Sequence, residues 1–265
     1  MDISRSIISG LATLAALGMA AFSPGAGAVD GVVLITQARA LAGGVTPADL
    51  PGFPVTISEP GSYRLASDLR VATPNIPAVD LRANYVELDL NGFTIFGPGK
   101  GFGTAAGIEG HPGGGTTGAA VIVKNGFVRD MGGHGISIDS GATIDHVSSS
   151  NNGVDGMILT TGARITNCEA NDNGRHGFRI LIGQIIHSHA GVNGASGIYI
   201  EYGSSLVSDN VLVFNREWGI FGNPAGLGGP SGYKGNVIAS SGAGAAGGAL
   251  VELGPNLCHG STACP

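Results

Sequence analysis

The chain has 265 residues, 48 of them Gly, with 43% hydrophobic and only 12% charged residues. Glycine at more than twice the usual share of about 7%, with no Gly-X-Y period, excludes collagen, and the apolar content excludes disorder. The formal net charge is −6 and Lys and Arg form no basic stripe, so neither nucleic acid nor anionic lipid is an expected partner.

The N-terminus reads as a processing signal. Arg5 is a thin n-region, Ile7 to Phe22 an apolar h-region, and Ala26-Gly27-Ala28 a small-residue cleavage site. Residues 1–28 are therefore expected to leave after Ala28, giving a secreted or periplasmic protein. No later stretch is apolar enough over sufficient length to span a bilayer, so an integral membrane protein is not expected. Residues 29–54 read as an N-terminal cap and loop. Within them, Leu34 to Ala42 predicts a short helix, with Thr36 as cap, Gly43-Gly44 as stop, and Leu34, Ile35, Ala38, Leu41 and Ala42 on one apolar face. Such a helix would cover the unpaired strand edges at the open end of a stacked β-structure.

Residues 55–253 repeat. Gly135, Gly156, Gly177, Gly197 and Gly219 each open a short apolar strand, at spacings of 21, 21, 20 and 22 residues, and Asn152, Asn173, Asn193 and Asn215 keep the same count. A period near 21 with inner alternation and no helical segment fits one turn of a parallel β-solenoid. Seven to eight turns are expected, with Gly-rich insertions at 97–105 and 111–118 projecting from corners. A further column, Asn91, Asn125, Val147, Cys168, His189, Asn210 and Asn236, reads as inward-facing, with its amides stacking into a structural ladder. That register makes Cys168 an inert core thiol and His189 a satisfied core histidine. In the tail, 254–265, Cys258 and Cys264 are expected to form a disulfide loop, since two thiols and His259 make an incomplete zinc site.

These features resemble the right-handed parallel β-helix proteins of the pectate-lyase-like superfold. The resemblance rests on the 21-residue turn, the Asn corners, strands of the form Asn-x-Gly-Ile-x-Ile, and the Asn-Gly-Phe units at 91–93 and 125–127. It implies an all-β fold and an exported protein of unassigned role, and it leaves function open.

On the glycine-led strands the outward columns are Glu109, Ser137, Ile158, Arg179, Tyr199, Phe221 and then His111, Asp139, Thr160, Leu181, Glu201, Asn223. Asp139, Arg179, Tyr199, Glu201 and Phe221 form a strip of charges and rings suited to a polysaccharide; the alternative is an ordinary solvated face with one Arg–Glu pair. A column before the glycines places His134, Asp155 and His176 on successive turns, where they can pair charges, relay protons or chelate a metal, or serve only as polar corner residues.

Enzyme motifs are incomplete. Gly133-His134-Gly135 is similar to a polygalacturonase segment, but the paired aspartates that hydrolysis needs are absent, and Arg179-Ile180-Leu181 lacks the family's Lys. The resemblance admits a uronate lyase with Arg179 as base and Asp139 and Glu201 as ligands of Ca2+ or substrate, although those carboxylates are spread over several turns. The expectation is a polysaccharide-binding β-helix with no cofactor and no complete catalytic set. A uronate lyase and a structural or adhesive surface module are the alternatives.

Overall fold

A computed structural model describes residues 28–29, 31–111, 120–139, 141–262 and 264. Residues 1–27 of the expected signal peptide (1–28), and 112–118 of the expected insertion (111–118), lie outside the described residues. The described chain forms 25 strands, and every pairing between named strands is parallel except that of Ala28–Val29 with Val32–Ile35. They wind into a β-solenoid of about 9 turns, one or two more than expected.

Three walls run along the axis. The front wall stacks the glycine-led strands, from Val55–Ile57 to Gly244–Gly248. The side wall runs from Val32–Ile35 to Leu250–Glu252, and the back wall from Leu69–Arg70 to Leu257–Cys258. The stack thus begins before Val55 and ends beyond Leu253. Val32–Ile35 pairs with Gly61–Leu65, and Leu257–Cys258 with Val237–Ala239, although neither end strand carries the glycine register.

Alternation decides what each wall buries. Ile136, Met157, Phe178, Ile198 and Ile220 are in register on the front wall, and all point into the core. Ile144, Ile165, Ile185 and Val207 do the same on the side wall, as do Ala170, Ala190, Leu212 and Ile238 on the back wall. Removing such buried aliphatic area from water is the main stabilising term.

The two corners flanking the back wall share one device: a residue in the left-handed region, followed by one that turns inward. At the side–back corner the left-handed residues are Asn125, His146, Asn167, His187, Asp209 and Gly235, with φ of 51–69°. At the back–front corner they are Asp130, Asn151, Asp172, Val192, Phe214 and Ser240, with φ of 54–60°. Asn, Asp, His and Gly tolerate this conformation, whereas the β-branched Val192 does so under strain.

The inward residues build two ladders. The Asn152 amide donates to Asn173 Oδ1 (3.0 Å), Asn173 to Asn193 (3.1 Å) and Asn193 to Asn215 (2.9 Å). The second ladder runs from Asn210 to Asn236 to Asn256, each step 3.0 Å. Its upper rungs differ from the expected column. Ser188, not His189, holds the inward position, bonding the Cys168 N–H at 3.2 Å and donating its own N–H to Asn210 at 2.9 Å. The left-handed corner falls on His187 there, which moves His189 one place on, half-buried on the back wall between Glu169 and Val211. Asn91 and Asn125 are likewise left-handed, solvent-facing corner residues and not rungs. Cys168 is buried inward, and burial pushes its thiol up to about 12.

Both ends are closed. The helix is Gln37–Ala42, shorter than the expected 34–42, because Leu34 and Ile35 are taken by a strand of the stack. Thr36 Oγ1 caps it through the Arg39 N–H at 3.1 Å. Ala40 packs into the core, whereas Leu41 is exposed, so the packed face is rotated from the expected one. The buried Asp49 carboxylate ties this cap to the first front strand, accepting the N–H of Val45 (2.9 Å) and Thr56 (2.8 Å). At the other end Cys258 and Cys264 form a disulfide. Cys258 points inward and Cys264 packs against the same core, so the tail shields the final turn.

Asn173→Ala removes the acceptor for the Asn152 N–H and amide and the donor to Ser149 O and Asn193. With each buried orphan costing about 1–3 kcal/mol, the expected loss is about 3–5 kcal/mol in urea unfolding. A loss below about 1 kcal/mol would refute the ladder's structural role. Cys264→Ser opens a short loop, and a loss of about 2 kcal/mol is expected from chain entropy. The check is hydrogen exchange, in which protection should fall first at Val237–Ala239 and Leu257–Cys258.

Candidate functional site

The back–front corner sets up the front-wall surface. Its repeat is Asn-Gly-x-x-Gly, and the second residue is glycine because the corners stack almost in contact. A Cβ on Gly153, Gly174 or Gly194 would lie 2.0, 2.1 or 2.2 Å from a carbonyl oxygen of the turn beside it. The fourth residue of each corner enters the front wall beside its outward side chains. On successive turns it is His134, Asp155, His176, Ser196 and Trp218.

This column is a third ladder, with side chains accepting from backbone. His134 Nδ1 accepts the Asp155 N–H at 3.3 Å, Asp155 Oδ1 accepts the His176 N–H at 2.9 Å, and His176 Nδ1 accepts the Ser196 N–H at 3.2 Å. Neutral His176 therefore carries its proton on Nε2. Asp155 is wholly buried. Its Oδ2 makes no hydrogen bond, although His134 Nδ1 at 3.4 Å and Arg179 Nη1 at 3.9 Å lie within ion-pair reach. Burial favours the neutral acid, but the adjacent His134 ring, the hydrogen bond from the His176 N–H and the nearby imidazoles outweigh it and hold Asp155 below its ordinary range. Buried Ser196 Oγ and Thr160 Oγ1 also lack hydrogen-bond partners, so this wall carries unpaired polar atoms on several of its turns.

The expected strip is brought together in part. Arg179, Tyr199 and Phe221 are in register on adjacent turns. Arg179 donates from both Nε (3.0 Å) and Nη2 to Glu201 Oε2. The rings of His176 and Tyr199 stack at 4.6 Å, Tyr199 and Phe221 at 5.8 Å, and Trp218 tilts against Phe221 at 5.9 Å. These faces cover one another, so the strip offers ring edges to solvent. The series ends over Gly244, Gly247 and Gly248, where a Cβ would strike the Trp218 or Phe221 ring.

Asp139 stands apart. Thr160 and Leu181 separate it from Glu201, three turns or roughly 14 Å along the wall, so the two carboxylates do not share an ion. Its partner is His111, 3.2 Å away at the exposed edge. Among the described residues, no three His, Cys, Asp or Glu side chains are grouped to hold a metal. The 97–105 insertion stays on the back–front corner beside His134: Gly132 and Gly133 pack against the carbonyls of Phe102 and Thr104, and Lys100 reaches the Asp172 carbonyl.

Concavity lies elsewhere. Depressions of about 370 and 440 Å³ run along the side–back corner, among Phe127, His146, Asn167, Glu169, His187 and His189. They are the notches left by the left-handed residues, away from the front wall where the charged and aromatic groups converge. Sequence reasoning missed Thr160 and Ser196 as unpaired polar groups, and no spacing marks them.

His176 links the site to pH. Burial first, then the charges of Arg175 and Arg179, push it down to about 4, against the pull of Asp155. The unfolded chain, with its imidazole near 6.5, binds the proton more readily. Stability is therefore full above 6.5 and falls as pH drops toward 4, by roughly 2–3 kcal/mol. Denaturation across this window should show that slope, and His176→Gln should flatten it; an unchanged slope would refute the buried neutral imidazole.

No curated protein is significantly similar in sequence. Two solved structures are similar in fold. The periplasmic alginate epimerase AlgG has a TM-score of 0.53 and 16% identity, covering 74% of this chain and 50% of that one. The mannuronan C-5 epimerase AlgE4 A-module of Azotobacter vinelandii has a TM-score of 0.49 and 17% identity, covering 74% and 68%. The chain thus spans half the length of the first, and at such identity the likeness is one of fold. No described helix is long and apolar enough to cross a membrane. The model of the right handed beta helix region matches residues 104–244, more than half of the chain, and the protein belongs to that family.

Proposed function

We propose that the protein binds an extended polysaccharide along the outer face of the front wall, without a complete catalytic set. One observation carries this reading: half-buried side chains of adjacent turns merge into a continuous strip, from the Arg179–Glu201 pair through Tyr199 to Phe221 and Trp218. Turns about 4.8 Å apart repeat on the scale of a sugar residue, so a linear polymer can meet equivalent positions in succession. Because the rings stack on each other, hydrogen bonds from hydroxyls to Glu201, and from Arg179 to sugar oxygens, contribute more than ring–sugar stacking.

The similar alginate epimerase fold supports a polysaccharide partner. Export, expected from residues 1–28, would place the protein where such polymers lie. Binding without cleavage is the favoured reading because Arg179 is engaged by Glu201 and lies near Asp155, so its service as a base would first break that pair.

Affinity electrophoresis against uncharged, amino-sugar and uronate polymers tests the proposal. Glu201→Gln and Tyr199→Ala should each weaken the retained polymer roughly tenfold, about 1.4 kcal/mol, with thermal unfolding measured in parallel. If no polymer retards the wild-type chain, the proposal fails.

A further inference from the structure

We infer that the polymer on the front wall carries no carboxylates, and is an uncharged glycan rather than a polyuronate; the inference rests on the polysaccharide reading above. The charge of the wall and the pairing of its cations point that way. Asp80, Glu109, Asp139, Asp155 and Glu201 project from or lie under this face, against Arg179 on its strand and Arg82 just past the end of another. At the neighbouring corner Arg175 and Arg216 stand with Glu217. Neither the Arg82 nor the Arg179 guanidinium is free. Arg82 Nε donates to Asp80 at 2.7 Å, and Arg179 gives two N–H groups to one oxygen of Glu201.

The imidazoles do not reverse this balance. His176 is held neutral at ordinary pH, His134 sits against Asp155, and His111 against Asp139. The whole chain adds the same sign, with a formal charge of −6. A uronate laid along this strip would bring its carboxylate within a Debye length, about 10 Å at moderate salt, of a face whose carboxylates outnumber its guanidinium groups. Sugar hydroxyls meet the opposite situation. They are donors, and ionised carboxylates are acceptors only, so Glu109, Asp139 and Glu201 are suited to hydroxyl-rich, uncharged rings. The wall is therefore electrostatically opposed to the polymer named for its structural neighbours.

The experiment measures affinity of the full chain for a panel of uncharged glucans, galactans and mannans, for chitosan, and for alginate and polygalacturonate, at low and at raised salt. An uncharged member should bind at least tenfold tighter than alginate, with little salt dependence, while added salt should strengthen any residual alginate binding. Alginate or polygalacturonate binding as tightly as the best uncharged polymer would overturn the inference and leave the polysaccharide reading standing. Chitosan binding tightest would overturn the choice of an uncharged partner, and silence across the whole panel would overturn the polysaccharide reading itself. Asp139→Lys, at an exposed position, should raise alginate affinity several-fold at low salt; no rise would show that charge is not what excludes it.

Discussion

Each turn of this chain must set its corners directly on the corners of the turn beside it. Backbones about 4.8 Å apart leave little tolerance there, and the chain meets the constraint with a left-handed residue followed by an inward one. Gly153, Gly174 and Gly194 are glycine because a Cβ would overlap the adjacent carbonyl. Asn152, Asn173, Asn193 and Asn215 are asparagine because an amide can donate to one rung and accept from the other. The packing of Phe178 or Ile198 is a result of this stacking, since the walls between the corners have no freedom to slide.

The functional surface is an extension of the same constraint. His134, Asp155 and His176 occupy a corner column whose side chains accept backbone N–H groups of the next turn. They are structural in the way the asparagines are, but they are titratable and lie beside the outward face. That position gives Asp155 its buried, ionised carboxylate and places Arg179 between two acids. The polar strip is thus assembled from groups that fold the corner and groups that face solvent, joined by one guanidinium.

Periodicity made the front wall legible. Counting from Gly135, Gly156 and Gly177 places Arg179, Tyr199 and Phe221 in one column, and the hydrogen-bonded register agrees. The corners were harder, because turn lengths vary by a residue and an Asn can serve either as the left-handed residue or as the rung. Asn125 is the first kind and Asn210 the second, and only backbone conformation distinguishes them. The same ambiguity displaced His189 from the core. The end strands Val32–Ile35 and Leu257–Cys258 lack the repeat's glycine, so alternation alone marked them, too briefly to count as turns. Separation along the axis was legible, since the outward column sets Thr160 and Leu181 between Asp139 and Glu201.

Because both corner ladders repeat the same two-residue device, turn number is open to change by inheritance. Duplication or loss of one 20- to 22-residue unit would deliver new corners that fit their neighbours, with no new core to be solved. Lineages of this fold can then lengthen or shorten the face in steps of about 4.8 Å, adding or removing one contact position along a polymer each time.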